Sequence, residues 1–362
     1  MGHEMMGQES LPRRIGVVVA ACLFAILSVT RADAQVGFSL PDENTPTKQL
    51  PSASQCGGRD LIEDLKSTDP TLHEKIVSEA ETVANDDAIL WRVEKPGVAP
   101  SHLFGTIHLT DARITTLSPA IHSALGESRT VLLEVADITP NGAASAMLEA
   151  RHLAFFADGR RLNELVGADD YAQLEGLLMR AGIPPTFAPM MRPWLVTLML
   201  ASSECERAAA EKGQPVLDMA IANAAKARGL EIEGLETVKS QLEAMANIPE
   251  SQQIEMLKAA VRSAPQINDY LETMVRLYLD RRIGATWPLQ IAMAARHGIE
   301  ASAFDGFKSD IVSKRNHGMH EAAGPYVAKG GAFIAVGALH LVGDDGLVAL
   351  LRRDGFTVSA VE

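Results

Sequence analysis

Two apolar stretches near opposite ends of the chain, Leu103-Phe-Gly-Thr-Ile-His-Leu109 and Ile334-Ala-Val-Gly-Ala-Leu-His-Leu341, share one plan: a short apolar strand, then G-x-x-H, then leucine. They form a weak two-fold repeat rather than a solenoid. Their apolar character constrains the architecture, because strands of this kind need a core around them. Further strand signals fall at Ala88–Glu94, at Ser101–His108 beyond a Pro96-Gly97 turn, at Thr130–Val135, at Leu230–Leu235 and at Phe356–Val361. The first two read as a hairpin, and the third as a buried strand ending in an acid. Between them lie helical periods. Ser118-Pro119 opens a helix running to about Glu127, by cap chemistry with proline in the first turn. Residues 141–229 are helical in period and rich in Ala, Leu and Met, with breaks at Gly182-Ile-Pro-Pro185 and Gly213-Gln-Pro215. Helices fill roughly 236–322, and another spans Asp345–Arg353. Strands at both ends with helices between predict an α/β fold: a central mixed sheet with flanking helices and a large helical insertion at about 141–229.

The N-terminus reads as an export signal. Arg13 and Arg14 precede an uncharged run, Ile15 to Thr30, and Ala32-Asp-Ala34 supplies a cleavage site. That run is shorter than the roughly 20 residues of a bilayer span, so residues 1–34 are expected to be removed; an uncleaved N-terminal membrane anchor is the alternative. No later stretch reads as a membrane span. Residues 35–55 are rich in Pro, Ser, Thr and Gln without a period and read as a flexible leader, leaving 56–362 as the folded domain. The reading implies a periplasmic or secreted protein. Cys22 leaves with the signal, so Cys56 and Cys205 remain, and in an oxidising compartment they are expected to pair. Such a bridge closes a loop of about 150 residues, worth roughly 3–5 kcal/mol on the chain-entropy model. A formal charge of −13 argues against nucleic acid as a partner, and 5% aromatics leave few stacking platforms.

Each G-x-x-H places a histidine just past a strand end. The glycine permits a close backbone approach or a positive φ, and ligands of open α/β sheets bind at the carboxyl edge of the strands. Neighbouring strands would aim His108 and His340 into one crevice, with Glu134 at the end of a nearby buried strand. An unpaired buried carboxylate is costly, so Glu134 is expected to face a cation, a donor or the crevice. Two imidazoles and a carboxylate match a divalent-metal site with room for water. The other histidines lack such a setting. His317 and His320 read as a surface pair, His102 as structural, and His73, His122, His152 and His297 as helical residues without partners at ligand spacing. There is no HExxH, GxSxG, P-loop or GxGxxG.

The segments LFGTIHL (103–109), VLLEV (131–135), GLET with Gln241, Arg315-Asn316 with Met319, and GALHLVGDDGL (337–347) together resemble the TraB/GumN family, which includes the Tiki proteins. The resemblance runs from about Cys56 to Val361. It implies an erythromycin-esterase-like or haem-uptake-like α/β fold and a divalent-metal-dependent protease. On this sequence the family's motif positions fall on Gly105, His108, Gly337, His340 and Glu134, with Glu236, Gln241, Arg315 and Asn316 at further recurrent positions. The implied activity is hydrolysis of a peptide or related acyl bond by water activated on Mn, Co or Zn. His108 and His340 would hold the ion, and Glu134 would either complete the ligand set or act as general base. Arg315 would stabilise oxyanion charge or a substrate carboxylate. The alternatives are a periplasmic protein that binds a peptide or haem without turnover, and a scaffold linked to polysaccharide export or signalling. The substrate would be a peptide or small molecule; the sequence leaves its identity, and the oligomeric state, open.

Overall fold

The computed structural model describes residues 54–136 and 140–362; the export signal expected at 1–34, and the leader apart from its last two residues, lie outside them. The centre is a six-stranded sheet in the order β4-β3-β5-β2-β1-β6. Its strands are β1 (Leu90–Glu94), β2 (Ser101–Thr106), β3 (Thr130–Val135), β4 (Glu231–Glu236), β5 (Ala332–Gly337) and β6 (Thr357–Ala360). Neighbours β4, β3, β5 and β2 run parallel, while β1 is antiparallel to both β2 and β6. The sheet is therefore mixed, with helices around it, as the element pattern predicts.

The near-continuous apolar runs follow from burial on both faces. Alternation sorts them. Phe104, Val131, Leu133, Phe333 and Ala335 pack on one side with Ile121 and Leu125 of the helix Pro119–Gly126 and with Leu217 and Ile221 of the helix Leu217–Ala227. Leu103, Leu132, Ile334 and Val336 pack on the other side with Met319 and Val327 of the helix Lys314–Lys329 and with Val348 and Leu351 of the helix Leu347–Arg353. Glu134, two residues after Leu132, shares that second face and so meets the helix that carries Arg315 and Asn316. Ser118 caps its helix as expected, its side chain accepting from the Ile121 N–H. The helices between β3 and β4 build a separate core around Trp194, Leu174, Leu178 and Leu195, joined by Leu242 and Leu257. Among the described residues no helix is long and apolar enough to cross a membrane. Cys56 and Cys205 are bonded, with Cα atoms 5.7 Å apart.

The two G-x-x-H strands are direct neighbours. β2 pairs with β5 in parallel, Gly105 opposite Val336 and Thr106 opposite Gly337, so the motifs sit side by side but one residue out of step. Neither motif glycine has a positive φ; close approach is the reason for Gly105. A Cβ there would lie 2.8 Å from Leu341 Cδ1, 3.0 Å from Ala338 Cβ and 3.1 Å from Ala338 Cα, all in or beside the turn Ala338–His340. At Gly337 the nearest atom is Glu134 Oε1 at 3.3 Å. Gly105→Ala is therefore expected to cost about 1–3 kcal/mol, the usual penalty for overpacking, and Gly337→Ala less. Urea denaturation of both variants checks the order; equal losses would mean that the glycines do not serve as the packing seam between the motifs.

Candidate functional site

The four parallel strands end at one edge, and each delivers part of the site. β4 brings Glu236, β3 brings Glu134, β5 leads into the turn with His340, and β2 leads to His108. His108 lies beyond the strand, which stops at Thr106 rather than continuing to 108 as the hydropathy suggested. A tight turn, with the Leu109 N–H donating to Ile107 C=O at 2.8 Å, ends the extended run.

Glu134 is the node. Its Oε1 accepts from the Gly337 N–H at 2.8 Å, and its Oε2 accepts from Arg315 Nη2 at 2.7 Å and Gln241 Nε2 at 3.0 Å. Burial alone would push this carboxyl up, but the Arg315 charge foremost, with His340 and His108 when they are protonated, outweighs burial and holds it well below the usual carboxylate range. Glu134 is thus a fixed anion. A proton acceptor needs affinity for protons, so this environment suits a ligand better than a general base.

Arg315 also meets Glu236, through Nε at 3.0 and 3.1 Å and Nη2 at 2.6 Å, and its Nη1 donates to Ile311 C=O at 3.3 Å. Most of its N–H groups are thus taken by two carboxylates and a carbonyl. Arg315 thereby orients Glu134. Gln241 bridges the carboxylates, with Nε2 3.4 Å from Glu236 Oε2. Arg315 and Asn316 stand at the start of the helix Lys314–Lys329, which continues a π-helical stretch, Phe307–Ser313. Such stretches recur at functional sites.

His340 is buried, and its tautomer is set by its neighbours. Asn316 Nδ2 donates to Asp345 C=O at 2.8 Å, which leaves Oδ1 to accept from His340 Nδ1–H at 2.6 Å. Nε2 therefore carries a lone pair, 3.8 Å from Glu134 Oε1. Burial drives the His340 pKa down to about 4, against the pull of Glu134. At neutral pH two electron-rich atoms thus face each other. His108 has the opposite character. Its side chain is 45% exposed, and Nδ1 meets Asp218 Oδ2 at 2.7 Å, while Thr106 Oγ1 donates to Asp218 Oδ1 at 2.7 Å. The Asp218 charge pushes its pKa up to about 9. Each imidazole feels the charge of Glu134, and protonated His108 disfavours protonation of His340.

Among the described residues no three His, Cys, Asp or Glu side chains are already closed around one point as a metal would require. The chemistry of the nearest donors fits a divalent ion all the same. Both histidines have Nδ1 engaged by an oxygen, the arrangement that leaves Nε2 for a metal, and Glu134 adds an anionic oxygen beside one of them.

Asp218 and Thr106 escape sequence reading, since Asp218 looks like an ordinary first-turn acid of the helix Leu217–Ala227. So does Tyr278, whose hydroxyl donates to Gly105 C=O at 2.7 Å and anchors the first motif from below. Three other histidines have partners or surroundings of their own. His317 lies near Asp345 and His320 near Asp354, on separate partners, and His102 is buried within β2.

The model of the TraB/PrgY/gumN family matches residues 89–360, from the residue before β1 to the last residue of β6. The chain belongs to the TraB/PrgY/gumN family. The family match thus takes in the whole sheet and every residue of the candidate site. Among curated proteins, the metalloprotease TIKI1 of Danio rerio is 23% identical over 316 residues, covering 75% of this chain and 63% of its own length. This family member therefore spans less than two thirds of that relative. No solved structure matches the chain.

Proposed function

We propose that this chain is a metal-dependent hydrolase of peptide or related acyl bonds, working in the periplasm or outside the cell. The observation that carries the reading is the lone pair of His340 Nε2, fixed by Asn316 and facing the anionic Glu134 Oε1 at 3.8 Å. Such a pairing is unfavourable until a cation stands between the two atoms. His340 Nε2, Glu134 Oε1 and His108 Nε2 would hold that ion, of the Mn, Co or Zn class. A divalent ion there would supply Lewis acidity, polarising an acyl oxygen and making water acidic near neutrality. The protein's share is positioning. Arg315, Gln241 and the Gly337 N–H keep Glu134 ionised and still, Asn316 keeps His340 in one tautomer, and Asp218 aims His108. The half-open His108 marks the side from which substrate enters. The metalloprotease name of the zebrafish relative supports the reaction class, and the disulfide fits an oxidising compartment.

Purified protein incubated with a diverse peptide library and Mn²⁺, Co²⁺ or Zn²⁺ in turn tests the proposal. Cleavage that a chelator abolishes is the expected result. Saturable binding of peptides that stay intact would contradict hydrolysis and leave a binding protein.

A further inference from the structure

Residues 107–111, which carry His108, lie outside strand and helix. Their anchor is Thr110, a buried residue two places past His108. The Thr110 hydroxyl donates to Glu206 Oε2 at 2.9 Å and accepts from Gln55 Nε2 at 3.1 Å, and the Thr110 N–H donates to the same Glu206 oxygen at 2.9 Å. Gln55 directly precedes Cys56, and Glu206 directly follows Cys205. Both groups that grip Thr110 are therefore chain neighbours of the two halves of one disulfide. Both cysteines are partly open to solvent, whereas Glu206 is buried.

We propose that the Cys56–Cys205 bridge is a redox latch that positions His108. Oxidised, it holds Gln55 and Glu206 around Thr110 and seats His108 against Asp218. Reduced, it frees Gln55 from Glu206, and the loop loses its seat. The reductant is a dithiol: one thiolate attacks a bridge sulfur, the S–S bond breaks, and the second thiol resolves the mixed disulfide. Two electrons and two protons pass to the protein, leaving two cysteine thiols and a cyclic disulfide. The consequence for catalysis rests on the metal reading of His108; the latch itself does not.

The test uses the full chain, free of metal, with and without dithiothreitol, followed by hydrogen exchange and by the low-field Nδ1–H resonance of His108. On reduction, exchange at Leu109, Thr110 and Asp111 should rise at least tenfold and the His108 resonance should disappear, while amides of β3 and β5 keep their rates. Should reduction loosen the whole fold, Glu206→Ala with the bridge intact is the second arm: it should release the same three amides, and Glu206→Gln, which keeps an oxygen for Thr110, should not. Unchanged exchange at 109–111 in both arms would overturn the latch, as would an equal rise in β3 and β5 on reduction with no local release in Glu206→Ala. A chain that shows local release yet never takes up Mn²⁺ would remove only the metal reading.

Discussion

Arg315→Ala should lower the stability of the fold by about 3–5 kcal/mol at neutral pH, the usual cost of stripping one partner from a buried ionic cluster. Arg315 is 12% exposed, and the two carboxylates it separates, Glu134 and Glu236, are 12% and 11% exposed. Without the guanidinium, two anions remain near each other with only Gln241 between them. The pH dependence carries the sign. A carboxylate held below its usual pKa stabilises the native state above that pKa, and the contribution fades as pH falls through the depressed native value. Glu134 is such a group. In Arg315→Ala the burial of Glu134 loses its main counterweight, so its carboxyl rises and takes a proton readily. The gap between variant and parent should therefore be widest near pH 7 and shrink toward pH 4.5. Arg315→Lys keeps the charge but not the planar fork that spans both carboxylates, and should fall between them. Urea unfolding at the two pH values is the measurement. A loss under about 1 kcal/mol at pH 7 would mean that solvent screens the cluster as it does a surface pair.

Metal affinity should show the second large effect. His108→Ala and His340→Ala each remove a donor. Each should lose more affinity than Asn316→Ala or Asp218→Ala, for which loss of a group supporting a ligand predicts about 10–100-fold. Asn316→Asp still accepts from His340 Nδ1–H but loses the donor to Asp345 C=O, and should fall between Asn316→Ala and the parent. The protonation states add a sharper expectation. Near neutrality His340 is already neutral, with its pKa at about 4, and Glu134 is already ionised. His108 alone carries a proton to displace, since Asp218 lifts its pKa to about 9. Ion binding at pH 7 should release a single proton, and apparent affinity should climb about tenfold per pH unit up to roughly pH 9. Calorimetric titration with Mn²⁺ in buffers of different ionisation enthalpy measures both. Release of two protons, or affinity flat with pH, would remove His108 from the ligand set.

The sheet and the outline of the site were legible because apolar runs and glycine-histidine pairs leave local marks. β2, β3 and β5 read as strands from their composition, and the adjacency of the two motifs followed from treating a strand-end histidine as an edge feature. The mixed sheet needed only the hairpin signal of β1 and β2 added to the parallel core. What stayed hidden was whatever depends on long-range docking. Asp218 sits on a helix remote in sequence from His108, and its acid is indistinguishable from a helix-capping charge. Arg315 carried a visible motif but an invisible partner: nothing local says that Glu236, at the end of β4, would occupy its Nε and Nη2. Strand ends were misjudged by a residue or two, as at His108, because apolar composition continues through a turn that backbone hydrogen bonding closes. Gly105 serves packing against Ala338 and Leu341 rather than an unusual φ, which its place in the motif alone does not reveal.

In the proposed site two imidazoles and Glu134 share one ion. Crystals soaked in Mn²⁺, with anomalous difference density collected at the manganese edge, address it directly. One peak is expected at coordination distance, roughly 2.0–2.2 Å, from His340 Nε2, His108 Nε2 and Glu134 Oε1, the side chains having closed on it. A fully substituted crystal with its peak elsewhere, or with His108 Nε2 turned away from the ion, would contradict it.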